Sequence, residues 1–162
     1  MTAIWEKLIT IMHQTIQLYQ TLLELSRQKR EALVAVNIQE VESITRQEEL
    51  LIIEAGKLEK SRQAAIEQII ARHNLSAANP TLMQVKELAD EQTAARIESI
   101  GEQIASLVKE LVALNQLNTK LINQSLEYIN FSINVMTQAA AEPTYSPQAS
   151  QPQPRSILDW KV

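Results

Sequence analysis

The longest regular pattern of apolar residues lies in residues 93–138, which contain no proline and a single glycine, Gly101. Apolar side chains recur there at alternating spacings of three and four, the a/d pattern of a helix that packs against partner helices. The members of this seam are Ile97, Ile100, Ile104, Leu107, Leu111, Leu114, Leu121, Tyr128 and Val135, with Asn118, Ser125 and Ser132 as polar members.

A second stripe lies beside this seam on the same predicted helix. It consists of Val108, Asn115, Ile122, Ile129 and Met136. Two stripes make an apolar face wider than a two-stranded coiled coil needs. We therefore expect a third helix or a binding partner to cover part of it.

Two more long helices precede it, over residues 2–36 and 38–73. Asn37 is a good N-cap, and Glu40 at position N3 can reach back to the Asn37 backbone N–H. The break there is either a kink or a full reversal, and we favour the reversal because the second helix carries its own apolar seam. That seam includes Glu48 and Arg62, which we expect to reach solvent, to form pairs across the bundle, or to mark a thin part of it. Gly56 either allows a close helix crossing or is simply tolerated.

The remaining breaks are marked by capping residues. We predict a loop over residues 74–80 and a capping box of Thr81 and Gln84 that starts a short helix over 82–89. Asp90 then caps the last long helix, or the two helices run together with a kink. The predicted fold is all-α, an elongated antiparallel bundle or coiled coil of three long helices and a short one, over residues 1–138.

The composition changes after residue 138. Residues 139–162 hold four of the five prolines among Ser, Gln and Ala, which is typical of a flexible tail. The tail ends in an apolar motif formed by Ile157, Leu158 and Trp160. We expect this motif to dock, either in a groove of the chain itself or on a partner.

Charge and chemistry narrow the function. The net charge of −4 disfavours nucleic acid, and the absence of cysteine excludes disulfides, thiol chemistry and cysteine-ligated zinc. No apolar run approaches the roughly 20 residues of a membrane span, and the start lacks the basic region of a signal peptide, so we expect a cytoplasmic protein. His13 and His73 fit helix surfaces, and no phosphate loop or nucleophile motif is present. We therefore expect no metal, no cofactor and no enzymatic activity.

The most informative local feature is a pair of asparagines, Asn115 and Asn118, which are three residues apart and share one helix face. A buried asparagine weakens packing but fixes register and partner choice. Two interpretations remain open: the pair sets the register of the bundle, or its face receives another helix and hydrogen-bonds to it.

Here the chain resembles the FlgN family of flagellar export chaperones. Residues 29–33, 37–38, 48–51 and 58–62 carry the likeness, as do Asn115-x-x-Asn118 with residues 121–122 and 125–129, and finally Tyr145 with residues 157–162. Many relatives have Gly-Asp where this chain has Val36-Asn37. The capping residue is kept, but the glycine that favours a sharp turn is lost.

The resemblance implies a cytoplasmic chaperone for the hook–filament junction proteins FlgK and FlgL. Such a chaperone binds the helical C-terminal segment of its client, prevents premature association and brings it to the type III export machinery. On this hypothesis the client contacts a face within residues 107–133. The candidate residues are Leu107, Leu111, Leu114, Asn115, Asn118, Leu121, Ile122, Ser125, Tyr128 and Ile129.

Two alternative functions are a structural coiled coil and a peripheral membrane helix. A structural coiled-coil protein would use the same wide face for self-association, and a monomer and a homodimer bury the same stripes. A peripheral membrane helix would need polar faces rich in Lys and Arg, whereas these faces are mixed and net acidic.

Overall fold

The structure is a computed structural model that describes residues 2–75 and 80–141. Within those ranges it contains four helices and no strand, which confirms the predicted all-α bundle. The helices are α1 (Thr2–Val34), α2 (Ile38–Arg72), α3 (Leu82–Lys86) and α4 (Glu91–Ala141). The chain divides into two compact units, Met1–Gln124 and Ser125–Val162. All the described residues of the second unit belong to α4.

The direction of the helices in the first unit follows from contacts between their side chains. The start of α1 meets the start of α4 through an ion pair between Glu6 and Arg96. The end of α1 instead meets the start of α2, where Lys29 pairs with Glu48. Arg27 near the end of α1 also pairs with Glu110 further along α4, so α1 and α4 run in the same direction. The end of α2 packs against the start of α1, so α2 runs antiparallel to both.

Two apolar clusters hold this bundle together. The larger one joins the first half of α1 to the end of α2, the start of α4 and Val85 of α3. Its buried members are Ile4, Trp5, Leu8, Ile9, Ile11, Met12, Ile16, Ala65, Ile66, Ile69, Ile70, Val85, Ile97 and Ile100. The smaller one consists of Leu25, Ala32 and Ile44, with Val41 and Leu51 packed against them. Its members come from α1 and α2, so those two helices form a hairpin beyond the main core.

The connection between α1 and α2 is a full reversal, as predicted. Helix α1 ends at Val34, and Val36 adopts the left-handed conformation with φ of 55°. The Asn37 N–H donates to the Ala32 carbonyl at 2.9 Å, which closes the helix end. A β-branched residue is disfavoured in this region because its Cβ crowds the backbone. The turn therefore forms at a local cost that the packing of the hairpin offsets.

The N-cap of α2 differs from the predicted capping box in one bond. The Asn37 side chain accepts from the Glu40 N–H at 3.3 Å, as expected. The Glu40 carboxylate, however, accepts from Asn37 Nδ2 at 2.9 Å. The predicted bond to the Asn37 backbone N–H was wrong, because that N–H is already bonded to the Ala32 carbonyl.

The other predicted helix ends are confirmed with small shifts. Asn74 takes the left-handed conformation (φ 54°) after α2, and Thr81 and Gln84 form the predicted capping box. Helix α3 ends at Lys86, and Asp90 caps α4 by accepting from the Thr93 N–H at 2.9 Å. Helix α4 includes residues 139–141, which the sequence assigned to the tail, because three alanines favour helix.

Candidate partner-binding surface

A layer of polar side chains crosses the first unit between α1, α2 and α4. Lys29 Nζ and Glu48 Oε2 lie 2.8 Å apart, and their side chains are only 16% and 13% exposed. The buried Ser26 hydroxyl can donate its one proton to Asn115 Oδ1 at 3.1 Å or to Glu48 Oε1 at 3.3 Å. Asn118 Nδ2 donates to the Ser26 carbonyl at 2.9 Å. We call these five residues the polar layer.

The polar layer fixes how α4 lies against α1. Asn118 is 3% exposed, and its Oδ1 has no hydrogen-bond partner in the described part of the chain. A buried amide bonded to one backbone carbonyl favours a single register, because sliding the helix would leave both of its polar atoms unpaired. The predicted cross-bundle pairing holds for Glu48 only, since Arg62 pairs with Glu59 of its own helix.

Ion pairs at the surface support the parallel direction of α1 and α4. Arg96 hydrogen-bonds to the Glu6 carboxylate, and this bond lowers the pKa of Glu6. Arg27 pairs with Glu110, roughly six turns further along α1 and roughly four turns further along α4. Both pairs are exposed to solvent, so each adds little to stability. Their value is that they mark which turns of the two helices face each other.

Most predicted partner residues of the first unit face the bundle. Leu114 and Asn118 are buried, and Leu107 packs against the main core. Leu111, Leu121 and Ile122 are half-buried, and Asn115 is exposed. Leu114 and Asn118 pack α4 in the bundle, and a role of any of these residues in partner binding stays a prediction.

The second unit exposes apolar side chains on two sides of α4. Seven large apolar residues between 125 and 141 are exposed, from Ile133 at 42% to Tyr128 and Met136 at 72%. Their spacing divides them into two sets. The aliphatic stripe is Leu126, Ile129, Ile133 and Met136, and the aromatic stripe is Tyr128, Phe131 and Val135.

Only part of this surface was predicted from the sequence. Tyr128 and Ile129 were candidates, and both are exposed, while Ser125 is half-buried. Leu126, Phe131 and Ile133 were missed. The signal for Leu126 and Ile133 was available, because each lies three or four residues from Ile129 and so shares its face.

The remaining positions of residues 125–141 are almost uncharged. Glu127 is the single charged residue between 125 and 141, and Asn130 and Asn134 share its side of the helix. The candidate tail motif of Ile157, Leu158 and Trp160 lies outside the described residues. No helix in the described ranges has the length and apolarity that crossing a membrane requires.

Comparison with known proteins identifies the family. The family model described as FlgN protein matches residues 1–153. Neither the curated proteins nor the solved structures give a significant match. The family match extends over nearly the whole chain and includes all four helices described above. The chain therefore belongs to the FlgN family, and this membership implies the role of a flagellar export chaperone.

Proposed function

We propose that this chain is a cytoplasmic chaperone for the hook–filament junction proteins FlgK and FlgL. It binds the helical C-terminal segment of its client, prevents premature association and brings the client to the type III export apparatus. The observation that carries this proposal is the set of seven exposed apolar side chains in residues 125–141. An apolar surface of this extent on a water-soluble helix is typical of a binding site.

The proposed mode of binding is packing of helices along the aliphatic and aromatic stripes. An amphipathic client helix would bury its apolar face against them, as in helix-in-groove recognition. Residues of the polar layer and Leu114 keep their place in the bundle and hold α4 in position. This function needs binding alone, and it requires neither a cofactor nor a catalytic step.

The charge of residues 125–141 favours a protein client over a membrane. A helix that binds anionic lipid carries Lys and Arg on its polar side. Residues 125–141 contain neither, and their one charge is the carboxylate of Glu127. Self-association through the stripes remains the second candidate, and the oligomeric state of the protein without client tests it.

A pair of matched variants tests the binding site. Phe131→Asp with Ile133→Asp places a charge in each stripe, and the control, Asn130→Asp with Asn134→Asp, places the same two charges on the polar side. We expect the first variant to weaken binding of the FlgK C-terminal segment by about a hundredfold or more, because buried carboxylates there lose their hydration. The control should bind the segment with an affinity within a few-fold of that of the unmodified chain.

Both variants should keep their helical circular dichroism, since the altered residues lie on exposed parts of α4. The buried Leu114 is unsuitable for such a test, because a carboxylate there would disrupt the bundle. Full binding by the folded Phe131/Ile133 variant would place the client elsewhere. A chain that ends at Ala141 tests the tail motif separately: retained client binding would leave Trp160 for contacts with the export machinery.

A further inference from the structure

We infer that two helices of the client bind the second unit at the same time, one packed on the aliphatic stripe and one on the aromatic stripe. This inference rests on the proposed function and specifies the partner that the surface fits. It follows from the width of the apolar surface, from the small residues at its centre and from its area.

The width exceeds what one helix covers. At 3.6 residues per turn the centres of the two stripes lie roughly 150° apart around α4, and the whole apolar arc spans roughly 220°. A helix that packs on one neighbour needs an apolar arc of only about 100°. The polar side, with Glu127, Asn130 and Asn134, occupies the remainder.

The residues at the centre of the apolar arc are small and polar. Ser125 and Ser132 lie between the stripes, and the Ser132 hydroxyl donates to the Tyr128 carbonyl at 2.9 Å. One client helix resting on these serines would touch only the inner edges of both stripes. Leu126 and Phe131 at the outer edges, 53% and 66% exposed, would stay in water. Burying apolar side chains stabilises a complex in proportion to the area removed from water, which favours an arrangement that covers both edges.

The exposed area of the seven side chains matches that of a specific complex only when both stripes are buried. Together the seven side chains expose apolar surface on the order of 700–800 Å², close to the roughly 800 Å² per partner of a stable protein–protein interface. One stripe alone would supply about half of that. The near absence of charge indicates that client helices with apolar, uncharged faces fit this surface.

A second copy of this chain does not complete the surface. In a two-fold contact each chain presents the same patch to the other. Two α4 helices in contact would bury one stripe from each chain and leave the other stripe of both exposed. A client with two helices covers both stripes within a one-to-one complex.

Single cysteines test the inference directly, because the chain contains no cysteine of its own. Leu126→Cys and Phe131→Cys report on the two outer edges, and Asn134→Cys on the polar side is the matched control. The probe is a C-terminal segment of FlgK long enough to form two helices, added at saturation to the full-length variants. We expect alkylation of both edge thiols to slow about tenfold or more and that of the control to change less than about twofold, as the burial of an interface core implies.

The outcomes separate the inference from the proposed function. Saturable one-to-one binding that protects only one edge, or neither edge, would overturn the two-helix arrangement and leave the chaperone proposal intact. Protection that appears without client and grows with protein concentration would assign the surface to self-association. If neither the FlgK segment nor the corresponding segment of FlgL binds the unmodified chain or the three folded variants, the proposed function itself fails.

Discussion

Replacing Asn118 by leucine should stabilise the first unit even though it removes a hydrogen bond between two helices. Asn118 is 3% exposed, and its Nδ2 donates to the Ser26 carbonyl at 2.9 Å. Its Oδ1 is buried without a partner in the described residues. A buried polar atom without a partner costs free energy, because it has lost its hydration and gained nothing in exchange.

The expected magnitude follows from four contributions. Loss of the hydrogen bond costs about 1 kcal/mol, and removal of the unpaired oxygen regains about 2 kcal/mol. Burial of the leucine side chain adds about 2 kcal/mol. Its larger volume costs about 2 kcal/mol through overpacking beside Ser26. We therefore expect a net increase of about 1 kcal/mol in the free energy of unfolding.

Urea unfolding followed by circular dichroism measures this change. Asn123→Leu is the control, because Asn123 is an exposed asparagine of α4 outside the polar layer, and its substitution should change the free energy of unfolding by less than about 0.5 kcal/mol. A loss of more than about 1 kcal/mol in Asn118→Leu would refute the reasoning, since it would mean that the native amide is fully bonded and that the polar layer stabilises the bundle.

Three further changes test the local structure. Val36→Gly should raise the free energy of unfolding by about 1 kcal/mol, because glycine adopts the left-handed conformation without steric cost; no gain in urea unfolding would mean that the turn is unstrained. Gly56→Ala should also add about 1 kcal/mol, since a Cβ at Gly56 meets no atom within 4 Å and alanine favours helix; a destabilised variant would reveal a close contact there. Bonds from the Thr93 N–H and hydroxyl lower the pKa of Asp90. The stability that the ionised Asp90 contributes is therefore complete above its ordinary pKa of about 3.9, and it is lost as the pH falls through the lowered value. Asp90→Asn should therefore reduce the loss of stability on acidification, and identical pH profiles for the two chains would contradict this role.

The sequence predicts helix ends well where a side chain caps them. Asn37, Thr81 and Asp90 each bond to a backbone N–H within three residues, so local chemistry alone determines their position. The conformation of Val36 could not be predicted in this way, because valine disfavours the left-handed region. Packing of α1 against α2 imposes the reversal there, and the residues near the turn do not by themselves indicate it.

The candidate surface could be predicted only in part for a related reason. The pattern of α4 continues from Ile97 to Met136 with only a few polar members. Periodicity therefore assigned Leu114 and Ile129 equal weight, although the first is buried in the bundle and the second is exposed. Which apolar residues are covered depends on the register between α1 and α4. That register is set by distant pairs such as Ser26 and Asn118, which a single sequence does not reveal.

The central claim is that this chain binds the C-terminal helical segment of a junction protein. Calorimetric titration of the full-length chain with that segment of FlgK, and then of FlgL, from the same bacterium tests it most directly. We predict saturable binding near one to one with at least one of the two. A well-folded chain that binds neither segment, and whose mass increases with concentration, would contradict the chaperone function and favour a self-associating coiled coil.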